Sequence, residues 1–214
     1  MVLRKRERDT RSAILNAGRN MMGRKGFSAV GLAEILAEAG VPKGSFYHFF
    51  GSKDAFGEAL IAAYFEDYVA EIDQLLAKQG LTMAERLMVY FANWREYQIA
   101  FDQQGRCLAV KLGAEVSDLS EPMRLALKAG TTQVIARLKA GIEIGVAEGS
   151  LHIADPAAEV AAALYHQWLG ASIIAKIVRT YEPFETAFQC TRRMLGIGVP
   201  RADLPAFRPA PQAA

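Results

Sequence analysis

The feature that most restricts this chain is the run Ala39-Gly40-Val41-Pro42, set between two short segments with helical apolar spacing. Glycine accepts the left-handed backbone that ends a helix, and proline fits the first turn of the next. Two helices joined by so little chain must turn sharply against each other. The spacing predicts helices over about residues 31–39 and 43–49, and so a helix-turn-helix. An ordinary corner in an all-helical core has the same local signature, so the flanking sequence has to decide.

The rest of the chain is helical in pattern almost throughout. Strand-like alternation and Asn-Gly or Asp-Gly hairpin signals are scarce. A first helix is expected over about 10–24, capped by Asp9 or Thr10 and stopped by Lys25-Gly26. Ser28 is placed to satisfy the free amides of the second. Ser52 is the expected cap of a long fourth helix, about 53–78, and Thr82 that of a fifth, about 83–101. Further helices follow over about 106–116, 121–148, 156–180 (behind an Asp155 cap) and 182–195. The expected class is all-α, with about nine helices. The expected organisation is a helix-turn-helix domain over 1–53, an effector-sensing and dimerisation domain over 54–196, and a disordered, proline-rich tail over 197–214.

Of the 214 residues, 51% are apolar, enough for a packed core and too many for a disordered chain. No stretch reaches the roughly 18 apolar residues of a membrane helix. The charged start leads into no apolar signal core. With two cysteines, Cys107 and Cys190, the chain holds no disulfide scaffold. A reducing cytoplasm is the expected location. The three histidines, His48, His152 and His166, share no metal-binding spacing, and no metal or cofactor is expected. No nucleophile elbow, Walker loop, dinucleotide fingerprint or zinc-protease motif is present, so no enzyme is expected.

Charge is distributed unevenly. Residues 1–53 hold 10 Lys/Arg against 4 Asp/Glu; the remainder holds 15 against 19. A basic N-terminal quarter on a mildly acidic body suits an anionic partner, phosphate first, or is a solvated charged face; charge alone does not choose between them. The third helix begins Lys43-Gly44-Ser45, a slim polar end able to enter a major groove. Phe46, Phe49 and Phe50 are its expected inner anchors. Lys43, Ser45 and His48 are expected near base edges. Tyr47, Lys53 and the arginines between Arg4 and Arg11 are expected at phosphates, making binding steeply salt-dependent.

These residues resemble a known pattern. Gly26-Phe27-Ser28, then Ile35 through Val41, then Pro42-Lys43-Gly44-Ser45-Phe46-Tyr47-His48-Phe49-Phe50-Gly51-Ser52-Lys53, is similar to the DNA-binding domain of TetR-family repressors. The resemblance implies a homodimer, a near-palindromic double-stranded DNA operator, and control by a small molecule acting on the C-terminal domain. It also places Ser28, Lys43, Gly44, Ser45, Tyr47, His48 and Lys53 at the DNA. Ala29-Val30 departs from the hydroxyl residues common there.

The body resembles electrophile-responsive members of the same family. The resemblance runs through Gly105-Arg106-Cys107-Leu108 to Val116, Asp118-Leu119-Ser120, Met123-Arg124, Trp168 to Ala171 and Ala175-Lys176-Ile177. It implies that Cys107 senses reactive electrophiles or oxidants, with Lys176 beside it. Arg106, Ser117 and the proline-rich tail depart from that pattern. Read from the residues alone, Cys107 is either a small buried hydrophobe or a thiol favoured as thiolate by a helix start and a cation. Lys176, in the apolar run 171–178, either snorkels to water or is buried beside that thiol. Phe91, Trp94, Tyr97, Tyr165, His166 and Trp168 are either core or the lining of a reversible ligand's pocket. Leu164, Trp168, Phe184 and Phe188 are the expected dimer contacts, in a four-helix bundle built from the last two long helices.

Overall fold

The computed structural model describes residues 2–99 and 107–198, with side chains from Asp9 to Gln98 and from Cys107 onward. Phe101, Arg106, the arginines from Arg4 to Arg8 and the tail beyond 198 therefore lie outside the described side chains. Among the described residues there are nine helices and no strand: α1 Val2–Lys25, α2 Leu32–Ala39, α3 Lys43–Phe49, α4 Lys53–Leu76, α5 Met83–Ile99, α6 Leu108–Leu119, α7 Glu121–Ala147, α8 Ala157–Val178 and α9 Glu182–Met194. The all-helical expectation holds. None of these helices is long and apolar enough to cross a membrane.

Local chemistry explains most boundaries. Gly40 adopts φ +65°, ψ +31° at the end of α2. Its amide donates to the Ala37 carbonyl, and the Val41 amide to the Leu36 carbonyl at 3.1 Å. This is the double closure that a left-handed cap makes possible. Pro42 follows at the N-cap of α3 in extended backbone. The Ser52 hydroxyl accepts the Ala55 amide at 3.1 Å and starts α4. Thr82 caps α5 by accepting from the Glu85 amide, while the Glu85 carboxylate accepts the Thr82 amide. That reciprocal box is worth on the order of 1 kcal/mol.

Three expected caps are not formed. The first helix begins at Val2, upstream of Asp9 and Thr10, because arginine, lysine and glutamate all favour helix and nothing between Leu3 and Thr10 breaks it. Ser28 does not cap α2; Gly31 occupies that position, and Glu34 reaches back to accept its amide at 3.2 Å. At α8 the N-cap is Pro156, with no side-chain bond from Asp155, since the first helical residue is Ala157.

The described chain divides into two compact units. The first runs to Tyr68 and includes α6 and the part of α7 up to Gln133. Its core holds Ile14, Met22, Phe27, Ile35, Phe46, Phe56, Leu60, Leu112, Val116 and Met123, all at 5% exposure or less. Helices α1, α2 and α3 therefore share a core with α6, which lies beyond residue 53. Gly57 permits a close approach: a Cβ there would stand 2.4 Å from the Met123 sulfur and 2.7 Å from the Phe27 ring.

The second unit comprises residues 69–99 and those from Val134 onward. Trp168, with no exposed surface, is at its centre. Its ring lies against Phe91 at 5.0 Å and Phe184 at 6.1 Å. Two buried indoles need acceptors, and two hydroxyls supply them. Trp168 Nε1 donates to Thr191 Oγ1, and Trp94 Nε1 to Ser172 Oγ, both at 2.9 Å. Each hydroxyl in turn donates to a carbonyl one helical turn back, Ala187 and Trp168 respectively.

Candidate nucleic-acid interface and effector region

Helix α3 is fastened by one side. Phe46 is fully buried, with ring centroids of Phe50, Phe56 and Tyr47 at 5.3, 5.4 and 5.5 Å. Phe50 is buried and Phe49 half-buried, so the three expected anchors all face inward to some degree. With Phe46 inside, the helical period turns Lys43, Gly44, Tyr47 and His48 outward, and all four are exposed. A Cβ at Gly44 would meet no other side chain within 4 Å. The Lys43 ammonium lies 6.0 Å from the Tyr47 ring centroid. Ser45 is half-buried, its amide donating to the Pro42 carbonyl at 3.0 Å. This outward face offers a cation, an aromatic hydroxyl and an imidazole on a slim helix, the donor set that suits phosphates and base edges.

Two expected DNA contacts are engaged within the protein. Lys53 donates from Nζ to the Phe27 carbonyl at 3.0 Å and stands 4.6 Å over the Phe27 ring. Ser28 donates its amide to Glu115 Oε1 at 2.7 Å, and Phe27 donates its amide to Glu115 Oε2 at 3.0 Å. Partial burial of Glu115 pushes its pKa up. The Ser28 amide and hydroxyl, the Phe27 amide and the charge of Lys111 outweigh this and hold it below the ordinary value. Glu115 was invisible to sequence reasoning, because its partners lie 87 and 88 residues away.

Cys107 is the N-cap of α6, in extended backbone and half-buried. Its carbonyl accepts the Lys111 amide at 3.1 Å, so it is built into the first turn. It belongs to the first unit and Lys176, half-buried on α8, to the second. Cys190 is also half-buried. Among the described residues no group of three or more His, Cys, Asp or Glu is arranged to hold a metal ion.

The proposed pocket residues separate. Phe91, Trp94, Tyr165 and Trp168 are buried and packed on one another, with Trp94 at 5.6 Å from Tyr165 and 6.0 Å from Trp168. Tyr97 is half-buried. His166 is exposed, turned away from the buried face of α8 that carries Tyr165 and Trp168, and is therefore not interior. The expected dimer contacts also need correction. Leu164, Trp168 and Phe184 are at 1% exposure or less within one chain, so they have no surface left for a partner; Phe188 alone is half-buried. The apolar surface on α8 is elsewhere: Ile173, Ile174, Ile177 and Val178 are 47, 48, 70 and 49% exposed. Sequence hydropathy marked this run as apolar but could not say which residues the fold covers.

A short glycine–proline corner, a buried aromatic anchor and an outward polar face on α3 define a helix-turn-helix regulator of the DNA-binding class. Comparison with known proteins makes the class specific. Residues 14–60 match the bacterial regulatory proteins of the tetR family, and residues 84–191 match a tetracyclin repressor-like C-terminal domain. The HTH-type transcriptional repressor NemR of Escherichia coli K12 is 38% identical over 189 residues, 88% of this chain and 95% of that one. The transcriptional regulator AcuR of Cereibacter sphaeroides is 33% identical over 181 residues, 81% of this chain and 80% of its own. The crystal structure of the reduced form of E. coli NemR superposes with a TM-score of 0.83, covering 87% of this chain and 97% of that one. The chain belongs to the TetR family of bacterial regulatory proteins, and is a regulator and not an enzyme.

Proposed function

We propose that the protein is a dimeric transcriptional repressor that binds a near-palindromic operator and is released when an electrophile or oxidant modifies Cys107. It acts in the cytoplasm, where the operator is and where thiols are held reduced. The observation that carries the reading is the place of Cys107: it caps a helix that packs into the same unit as the DNA-binding helices. The similarity to NemR supports the repressor assignment. A helix start favours thiolate, the form that attacks. With a maleimide, the sulfur adds to the alkene carbon and the adjacent carbon takes a proton from water. The adduct adds bulk at a half-buried position next to fully buried Leu108, which favours a displaced α6. Modification can release DNA only by favouring a state whose recognition helices no longer match half-sites about 34–36 Å apart.

The test is fluorescence anisotropy on the palindrome upstream of the protein's own gene, before and after N-ethylmaleimide or hypochlorite. Wild type is expected to let go and Cys107→Ser to hold. Equal release of both would remove the thiol from the mechanism.

A reversible ligand is the second reading. Two buried acceptors on α5, Asn93 Oδ1 and Gln98 Oε1, have no hydrogen-bond donor among the described residues. A ligand carrying hydroxyl or amine donors would satisfy them. Release that needs neither Cys107 nor an electrophile would favour this reading.

For the dimer, the exposed Ile173, Ile174, Ile177 and Val178 support a partner surface on α8, with a second copy as occupant. Across a two-fold axis each residue counts twice. Ile177→Glu is expected to weaken association by about 2–4 kcal/mol, read by sedimentation velocity. An unshifted dimer would place the interface on another face.

A further inference from the structure

We propose that Glu115 is a latch by which α6 holds the corner between α1 and α2, with Lys53 on α4 gripping Phe27 of that corner at its carbonyl. For its role in release the latch rests on the Cys107 reading; its mechanical action does not.

The corner needs such a grip. Phe27 and Ser28 lie past the end of α1 and before the start of α2, so their amides have no carbonyl of a continuing helix to reach. One carboxylate serves both, with Oε2 on Phe27 and Oε1 on Ser28. The Phe27 carbonyl is taken by the Lys53 ammonium, which also lies over the Phe27 ring. The ring itself is buried, in a space that Gly57 leaves open. A single residue is thus held at its amide by α6, at its carbonyl by α4 and at its side chain by the core. Eight residues, about 12 Å of helix, separate Cys107 from Glu115. A helix moves as a rod over that length, and hydrogen bonds weaken steeply with distance and angle. A small displacement at the start of α6 therefore reaches the corner that leads into α2 and α3.

Hydrogen exchange on the full chain tests this without DNA or electrophile. Ala114 is exposed on α6, one residue from the latch. Ala114→Gly is expected to speed amide exchange in α6 about fivefold, through helix propensity alone. With the latch intact, exchange over residues 27–36 is expected to rise with it. In a Glu115→Gln background the corner is expected to exchange roughly tenfold faster from the start, and Ala114→Gly then changes α6 only. If residues 27–36 ignore Ala114→Gly in the wild-type background, or respond equally in both, no coupling passes through Glu115. Glu115→Asp keeps the charge and the two oxygens but is one methylene too short to reach both amides, and is expected to behave like the glutamine variant. Wild-type behaviour of Glu115→Asp would overturn the latch in favour of simple charge attraction. Coupled exchange in a protein whose operator binding ignores electrophiles supports the latch and discards Cys107 as its input.

Discussion

Replacing Phe46 with alanine is expected to cost about 3–5 kcal/mol, the range for truncating a fully buried aromatic. Phe46 has no exposed surface and is the one fully buried residue of the seven in α3. Its ring packs against Phe50 and Phe56, so the cavity would open between α3 and the start of α4. A helix of this length has no independent stability and is helical only while docked. Domains have only about 5–15 kcal/mol in all. Operator affinity is therefore expected to fall by more than a hundredfold, while residues 69–99 and 134–198 keep their helical structure. Urea denaturation followed by circular dichroism, beside operator titration, reads both effects. Phe46→Leu, which refills most of the volume, is expected to cost much less. An alanine variant with wild-type affinity would mean that α3 is held by something other than this anchor.

Trp168→Ala is the second large effect, again about 3–5 kcal/mol but in the other unit. The indole, on α8, touches Phe91 and Trp94 of α5 and Phe184 and Phe188 of α9. Trp168→Phe separates packing from hydrogen bonding, since it keeps a ring and removes the donor to Thr191. It is expected to cost about 1–3 kcal/mol, and Thr191 still has the Ala187 carbonyl to bond. Thermal unfolding of the three proteins gives the order wild type, Phe, Ala. If alanine unfolds like phenylalanine, the aromatic cluster contributes little and the hydrogen bond dominates.

The same cluster shows why a pocket and a core look alike in a sequence. Trp94, Tyr97, Tyr165 and Trp168 have the spacing of an inward stripe under either description. Whether their rings touch or surround a space depends on how α5 and α8, about 60 residues apart in the chain, are brought together. The structure packs Phe91, Trp94, Tyr165 and Trp168 on one another, and the buried acceptors Asn93 and Gln98, without a donor among the described residues, carry no hydrophobic pattern to find them by. His166 was misplaced for a related reason: one residue of helical phase separates Tyr165, wholly inside, from an exposed imidazole.

What the sequence determined alone was whatever depends on neighbours a few residues apart. The left-handed glycine at 40 and the proline behind it, the caps at Ser52 and Thr82, and the 3.6-residue period that turns Phe46 in and Tyr47 and His48 out all follow from local sterics and short hydrogen bonds. That was enough for the helix order, the helix-turn-helix and the outward face of α3. The tertiary structure decided which surfaces meet. It joined Glu115 to Phe27 across 88 residues and Trp94 to Ser172 across 78, placed α6 with the DNA-binding helices, buried Leu164 and Phe184, and left Ile173 and Ile177 outside. Those outcomes depend on which faces of many helices pack together, and no local rule carries that information.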